Sequence, residues 1–596
     1  MNDLGLEQQE YSAKWDLVQF FFLATYTVGL HGTTSLPFFI QKYTVLFLVA
    51  YYVLLILICI PICYLQIKLG AIYRHGIVGI FSNLIPFLKG GAVALLVMTF
   101  IRCLTSGLEL SYSLYFSFVS FDSFRSGNTS VVRPTEYGDV NRYFHEKFLQ
   151  RSDGIAEPGH VIWYLLLCLL ATWIVIYLLT FKGTAIFAKS VYGLTTTAFI
   201  LLLVVLVYGR LKDNLISYSR HYVVTGENEI TEIQDVRTVS VVHLGSPELW
   251  VDALLLHMNS IGLWSGVLPL LGTRIYNKKV VVNSAVALLI IAYSIFPVVT
   301  YIALEPYYDM SWDEGFIALQ RGIKPGLSYL FLGVFSTVRH HPIIALCLFM
   351  FCFLFGMIHQ VIHLCVIWES LLPSLPKMIM KRIRRREYLI GIACFSSFLL
   401  SIPFITQGGL FVYMLVNSYV DRLVFTLIIV STVPIITGYL KQESLYLPVE
   451  RVFMSAWYGL ASLIPAGMLI YYFALNVYPY SIFGYDEQWA EKIGWIISIS
   501  PISCCMILGA VHAIYKGKGN FKQKCIQALK ADSLNATDSY TEENSETNNT
   551  GFASSKSPSN SVMGNKNEPE TNVSQAEKAE TEIVMRPPEF TEVVKV

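Results

Sequence analysis

Two glycine-broken segments hold the residues whose types and spacing could do chemistry. The first is Gly29-Leu30-His31-Gly32-Thr33-Thr34-Ser35, inside the apolar run from Phe20 to Ile40. The second is Ser260-Ile261-Gly262-Leu263-Trp264-Ser265-Gly266, again between apolar flanks. Irregular backbone at membrane depth is tolerated only where it is buried in protein or lines a cavity. A broken membrane helix leaves carbonyls that coordinate cations and N–H groups that hold a carboxylate. Such a segment reads as a midplane binding site or, more plainly, as a kinked structural helix, since glycine is common in membrane helices. Ionisable side chains stand near both breaks: His31, His257, and His359 with His363 one turn apart. Intramembrane ionisable groups are functional candidates because charge in lipid is costly, and imidazole titrates near neutral pH. The other readings of these rings are neutral histidines bonded to neighbouring helices, or a zinc site at His359 and His363 that needs more ligands. Arg102 and Glu109, seven residues apart on one helical face, either form or bridge an ion pair lining a cavity or leave Arg102 snorkelling to an interface.

Membrane helices must position these groups. The 596 residues are 54% hydrophobic and 14% charged, where a soluble protein carries about 25% charged residues; the mean hydropathy is +0.53. Apolar runs of roughly 20 residues give about twelve spans, near 17–40, 43–65, 90–120, 160–181, 187–209, 248–273, 280–304, 342–372, 388–406, 409–440, 452–478 and 493–515. The expected fold is therefore an all-α polytopic membrane protein. A short N-terminal segment, 1–16, precedes a membrane domain over 17–515, and a polar tail follows over 516–596. The polar start, Met1 to Lys14, and the full-length first span argue against a cleaved leader.

Lysine and arginine gather after spans 2, 4, 6 and 8, as in Arg274, Lys278 and Lys279 or the run Lys381 to Arg386. The positive-inside rule then puts both termini in the cytoplasm. The basic run after span 8 is a topology determinant or a site for anionic membrane lipid. The large outer loops are about 121–159, 210–247 and 305–341, and Asn128-Thr129-Ser130 in the first is a glycosylation sequon. The tail is too polar to bury a core, and its end, Val594-Lys595-Val596, suits strand addition to a PDZ-type partner. Ten of the 11 cysteines lie inside apolar runs, so no structural disulfide is expected. The net charge of +1 points to no charged partner, and nucleic acid is not expected as one. No enzyme constellation and no phosphate-binding G-x-x-x-x-G-K-[ST] pattern is present.

At this point the chain resembles the neurotransmitter:sodium symporter family (solute carrier family 6) over roughly residues 11–515. The likeness is carried, in order, by Trp15, Val28-Gly29-Leu30 with Pro37, Tyr51, Ile60-Pro61, Leu69-Gly70, Lys182-Gly183, Asp252-Ala253, Ser260, Gly409 to Val412, Ser418-Tyr419 and Gly494-Trp495. The resemblance implies two inverted repeats of five helices with spans 1 and 6 broken around substrate and ions. It implies substrate contacts at Val28, Gly29, Ser106, Ser260 and Gly262. It implies sodium near Thr25, Val28 and His359, chloride near Tyr51, Ser260 and Ser294, and an outer gate at Ser35 and Asn417.

The chain departs from the family at those positions. The sodium-ligating asparagines align with Gly32 and Ile290, and the polar pair of span 8 aligns with Ile358 and His359. The gate's arginine and aspartate become Ser35 and Asn417, a self-consistent loss of both charges. The aromatic pair of span 6 becomes Met258-Asn259, and the chloride-site glutamine becomes Leu256. No cofactor is implied beyond Na+ and Cl−, whose ligands are partly lost. Gly29, where amine carriers have an aspartate, favours an amino acid or similar zwitterion. The expectation is a plasma-membrane secondary transporter for an amino acid, neurotransmitter or similar small solute. The alternatives are a transport-inactive relative acting as a binding or trafficking partner, and an uncoupled or proton-coupled carrier with His359 in the coupling role.

Overall fold

Among the described residues, ten helices are long and apolar enough to cross a membrane: Leu46–Tyr73, Pro86–Arg125, Trp163–Thr180, Phe187–Tyr208, Pro247–Thr273, Lys279–Ala303, Pro342–Leu371, Glu387–Ile405, Gly409–Ile436 and Trp489–Lys516. They correspond to the expected spans 2 to 10 and 12. Span 11 is the 28-residue helix Pro448–Leu475. Span 1 begins as the short apolar helix Leu17–Thr27, with helical residues recurring at Gly32, Ser35-Leu36, Phe39-Ile40 and Tyr43.

The computed structural model describes residues 17–27, 29, 32, 35–36, 39–40, 43, 46–126, 143–181, 184–224, 244–276, 278–308, 342–374, 386–442, 448–475, 488–517 and 519–529. Val28, His31, the Asn128 sequon, the basic run before Arg386, the segments 225–243 and 309–341, and the tail beyond 529 with its PDZ-type ending lie outside the described residues.

Span 6 shows how the sequence makes a break. Its outer helix, Pro247–His257, loosens into a π-turn over Met258–Gly262, and a second helix starts only at Val267. Gly262 and Gly266 have φ of 69° and 83°, a left-handed backbone that glycine adopts without penalty. The 18-residue core window of span 6 is 89% buried, against 11% for span 12, so span 6 is central and span 12 peripheral. Span 6 approaches span 2 at backbone distance: a Cβ on Gly272 would lie 2.2 Å from Ile67 O. Small residues at such crossings are how membrane helices pack without a hydrophobic driving force between them.

Span 3 is the long inner strut, packed along span 8 and against span 12. Its serines are accommodated by bonding back one turn: Ser111 to Gly107 O, Ser113 to Glu109 O, Ser117 to Ser113 O and Ser120 to Phe116 O. A hydroxyl satisfied by its own helix can sit in an apolar environment. Beyond the end of span 3, the π-helical turn Tyr143–Phe148 packs Phe144 and Phe148 onto Tyr112, Tyr115 and Phe116. An isolated antiparallel bridge, Val161 to Thr406, ties the segment before span 4 to the turn between spans 9 and 10.

Candidate functional site

At the break of span 1 the helix tightens to a 3₁₀ turn over Thr25–Thr27. Buried main-chain carbonyls require partners. For Tyr26 O the partner is an imidazole: His359 Nδ1, on span 8, lies 3.1 Å away and donates to it. One turn on, His363 Nδ1 donates to His359 O at 2.8 Å, and the two rings are 4.3 Å apart. The Tyr26 hydroxyl donates to Ile261 O at 2.5 Å, which ties the break of span 1 to that of span 6. Gly29 packs against the same ring, since a Cβ there would stand 2.9 Å from His359 Nδ1 and 3.0 Å from Tyr26 O. A Cβ on Gly262 would meet His363 Nε2 at 3.4 Å, and one on Gly32 would meet Ser260 Oγ at 3.8 Å. The two breaks, with Gly29, Ser260 and Gly262, are thus brought together around Tyr26 and the histidine pair.

An alkali cation wants an oxygen cage. Gly32 and Ile290 supply no side-chain oxygen, Ile358 is a buried alkyl group, and Thr25 Oγ1 is turned to Phe22 O at 2.5 Å with Thr195 Oγ1 at 3.4 Å. These side chains do not rebuild the sodium cage; they build an imidazole bridge between spans 1 and 8. For the zinc alternative, no group of three or more histidine, cysteine or acidic residues among the described ones could hold a metal.

A second buried imidazole contacts Tyr51, one of the expected anion ligands. His257 Nε2 donates to Tyr51 O at 2.8 Å, and its Nδ1 accepts from the Tyr293 hydroxyl at 2.8 Å. The Tyr51 hydroxyl donates to Tyr293 O at 3.1 Å. Of the expected anion ligands, Tyr51 and Ser260 are buried here. The Ser294 hydroxyl bonds back to Ile290 O at 2.7 Å, and its neighbour Tyr293 contacts His257.

Of the expected gate residues, Ser35 is buried, and Asn417 meets groups from span 3. Arg102 Nη1 donates to Asn417 Oδ1 at 2.8 Å, and Thr105 Oγ1 donates to the same oxygen at 3.1 Å. Arg102 Nη1 also lies 3.2 Å from Asp421 Oδ1. Glu109 accepts instead from the Tyr413 hydroxyl. Arg102 is therefore buried and paired across to span 10, neither snorkelling nor paired along its own helix with Glu109. Residues 413, 417 and 421 recur at four-residue spacing, which presents them on one face to span 3. Ser106, one turn from Arg102, is partly exposed within the otherwise buried stretch 102–113, as is Asn259 within 256–275. Toward the inner ends of spans 6 and 8, Arg274 Nη2 grips both oxygens of Glu369, at 2.9 and 2.8 Å.

Tyr26, Tyr293, Tyr413, Asp421 and the Arg274–Glu369 pair were not singled out from the sequence. Asp421 carried a usable signal, a charge inside an apolar run four residues from Asn417; the tyrosines did not stand out among 36.

The geometry of two broken spans facing one another defines a membrane carrier, and the sodium:neurotransmitter symporter family model matches residues 9–516. The chain belongs to that family, whose members are transporters and not enzymes. Similar proteins include the sodium- and chloride-dependent GABA transporter 2 of Rattus norvegicus, 23% identical over 88% of this chain and 90% of that one. The creatine transporter of Torpedo marmorata is 23% identical over 84% of each. The sodium- and chloride-dependent GABA transporter ine of Drosophila melanogaster is 24% identical over 66% of this chain, which spans 43% of that relative's length. The crystal structure of MhsT in complex with L-phenylalanine shares the fold, with a TM-score of 0.52 at 15% identity over 77% of this chain and 99% of MhsT. The architecture is the five-plus-five inverted repeat with helices 1 and 6 broken.

Proposed function

We propose that this chain is an alternating-access carrier for a small amino-acid-like solute in which an imidazole bridge replaces the sodium ion. The observation that carries the reading is the 3.1 Å contact of His359 Nδ1 with Tyr26 O. A cation at such a break holds spans 1 and 8 together; here a hydrogen bond does so. The His257 ring between Tyr51 and Tyr293, at an expected anion ligand, supports the same substitution. A proton added at Nε2 of either ring would keep both Nδ1–H donors in place and put a charge on a buried pair between spans 1 and 8, which is the proposed site of proton coupling. The solute class is supported by GABA and creatine, the zwitterions named for two relatives. The carrier is placed in the plasma membrane with both termini cytoplasmic, on the loop charges and the Asn128 sequon.

The test is uptake of labelled amino acids and small amines into cells with confirmed surface expression, in sodium buffer, sodium-free buffer and acid outside. Uptake should persist without sodium, respond to acid, and fall at least about tenfold in His359→Ala, the loss of one buried charge-capable hydrogen bond. Strict sodium dependence would sink the imidazole reading. Absence of uptake for every solute would favour a transport-inactive partner, a reading that the imidazoles contacting both expected ion positions also suit.

A further inference from the structure

We propose that Arg102 receives the carboxylate of the solute and fills the role that a metal cation has at an oxygen-lined site. The inference rests on the carrier reading above. A guanidinium presents its N–H donors in a planar fork. Arg102 Nη1 donates to Asn417 Oδ1 at 2.8 Å and forms an ion pair with Asp421 Oδ1 at 3.2 Å without hydrogen-bond geometry. Its Nη2 is buried and has no hydrogen-bond partner, although Arg102 as a whole is only 8% exposed. An unmade bond on a buried charged donor is costly, so a ligand that completes it binds strongly.

The position suits a solute. Ser106, the span 3 residue expected at the substrate, donates its hydroxyl to Arg102 O at 3.0 Å and is partly exposed. Gln360 Nε2 donates to Cys103 O at 2.6 Å, which holds span 8 beside this turn. On the same span 8, His363 faces Gly262 in the break of span 6. On span 6 itself Asn259 Oδ1 is a buried acceptor without a partner. Arg102 Nη2 on span 3 and Asn259 Oδ1 on span 6 thus stand among the buried groups without partners, with Tyr112 Oη, Ser260 Oγ and Trp264 Nε1.

Charge narrows the class. Asp421 already balances Arg102, so a bare anion would leave an excess negative charge in a low-dielectric site. A monoamine would leave Nη2 unmade. A zwitterion satisfies both conditions: its carboxylate accepts from Arg102 Nη2, and its ammonium donates to Asn259 Oδ1. One guanidinium then bridges two carboxylates, the protein's Asp421 and the solute's. No sodium is needed to neutralise the solute carboxylate, which agrees with the loss of ligands at Gly32 and Ile290.

The test uses the purified full-length chain in nanodiscs, with thermal unfolding measured against free amino acids, their carboxamides and their decarboxylated amines. At least one free acid should stabilise the protein, and its amide and amine should need at least tenfold higher concentration. Arg102→Lys keeps a cation for Asp421 but not the fork, so it should melt near the wild type while binding the acid at least tenfold more weakly. Asn259→Ala should weaken the acid as well. Equal stabilisation by amide or amine, an unchanged Arg102→Lys, or no stabilisation by any acid would overturn the assignment. Parallel uptake separates the two readings. Uptake of a solute without a carboxylate sinks the Arg102 inference and spares the carrier. Arg102-dependent acid binding without uptake keeps the inference and sinks the carrier.

Discussion

At the scale of single residues, the site turns on Gly29 and the ring it touches. A Cβ at 2.9 Å from His359 Nδ1 and 3.0 Å from Tyr26 O is an overpacked contact of the kind that costs roughly 1–3 kcal/mol. The shift it forces falls on the hydrogen bond that bridges spans 1 and 8. Gly29→Ala is therefore expected to fold, reach the surface and lose about tenfold in uptake. If the ring is the obstacle, the loss will not add to that of His359→Ala, because residues in contact couple. Uptake of the double variant equal to that of His359→Ala alone is the expected result, and fully additive losses would show that Gly29 acts elsewhere. Gly29 and His359 were both legible in the sequence, as a broken span and as an imidazole where the family has a polar ligand. Their contact was not, since it depends on how span 8 is rotated against span 1. The same rotation hid Tyr26, whose carbonyl and hydroxyl join both breaks.

At the scale of elements, the breaks were readable because glycine and small polar residues interrupt runs that are otherwise uniformly apolar. What the sequence did not reveal was which spans are latched to which. Two long-range polar links between helices, Arg102 with Asp421 and Arg274 with Glu369, join residues far apart in the chain, and no local pattern pairs them. The inner latch makes a sharp energetic statement. Arg274 and Glu369 have side chains 5% and 4% exposed, so removing one partner leaves a buried charge uncompensated, at roughly 3–5 kcal/mol. Glu369→Gln should lower the melting temperature of the purified protein substantially, whereas Arg274→Met with Glu369→Leu should recover most of the loss. A double variant as unstable as the single would mean that the helix ends are held by the ion pair itself, not merely burdened by its desolvation. Spans 6 and 8 carry the two walls of the histidine site, so a loosened latch should also impair uptake at temperatures where the protein is still folded.

At the scale of the whole molecule, the twelve-span plan was legible because each apolar run has the length a bilayer imposes. The outer cap was less so, since its stability comes from aromatic packing of Phe144 and Phe148 on span 3 and from the bridge between Val161 and Thr406, both non-local. The cap carries a titratable group that bears on the acid experiment. His145 Nδ1 faces Arg151 Nη1 at 3.4 Å, and Arg151 N donates to His145 O at 2.8 Å. Burial first, and then the neighbouring guanidinium, lower the imidazole's pKa to about 4, from about 6.5 for a free histidine. Above pH 6.5 neither the folded nor the opened cap binds the proton, and stability there does not depend on this group. As pH falls from 6.5 toward 4 the opened cap binds a proton that the closed cap refuses, so closure weakens progressively. Hydrogen-exchange protection factors over residues 143–149 should hold level above pH 6.5 and fall by pH 5. In His145→Gln, which keeps an acceptor for Arg151 but cannot titrate, they should stay level throughout. Equal protection in the wild type at pH 5 and 7.5 would rule out the effect. Acid-stimulated uptake is therefore assigned to His359 and His363 only when it survives in His145→Gln, where the cap stays closed.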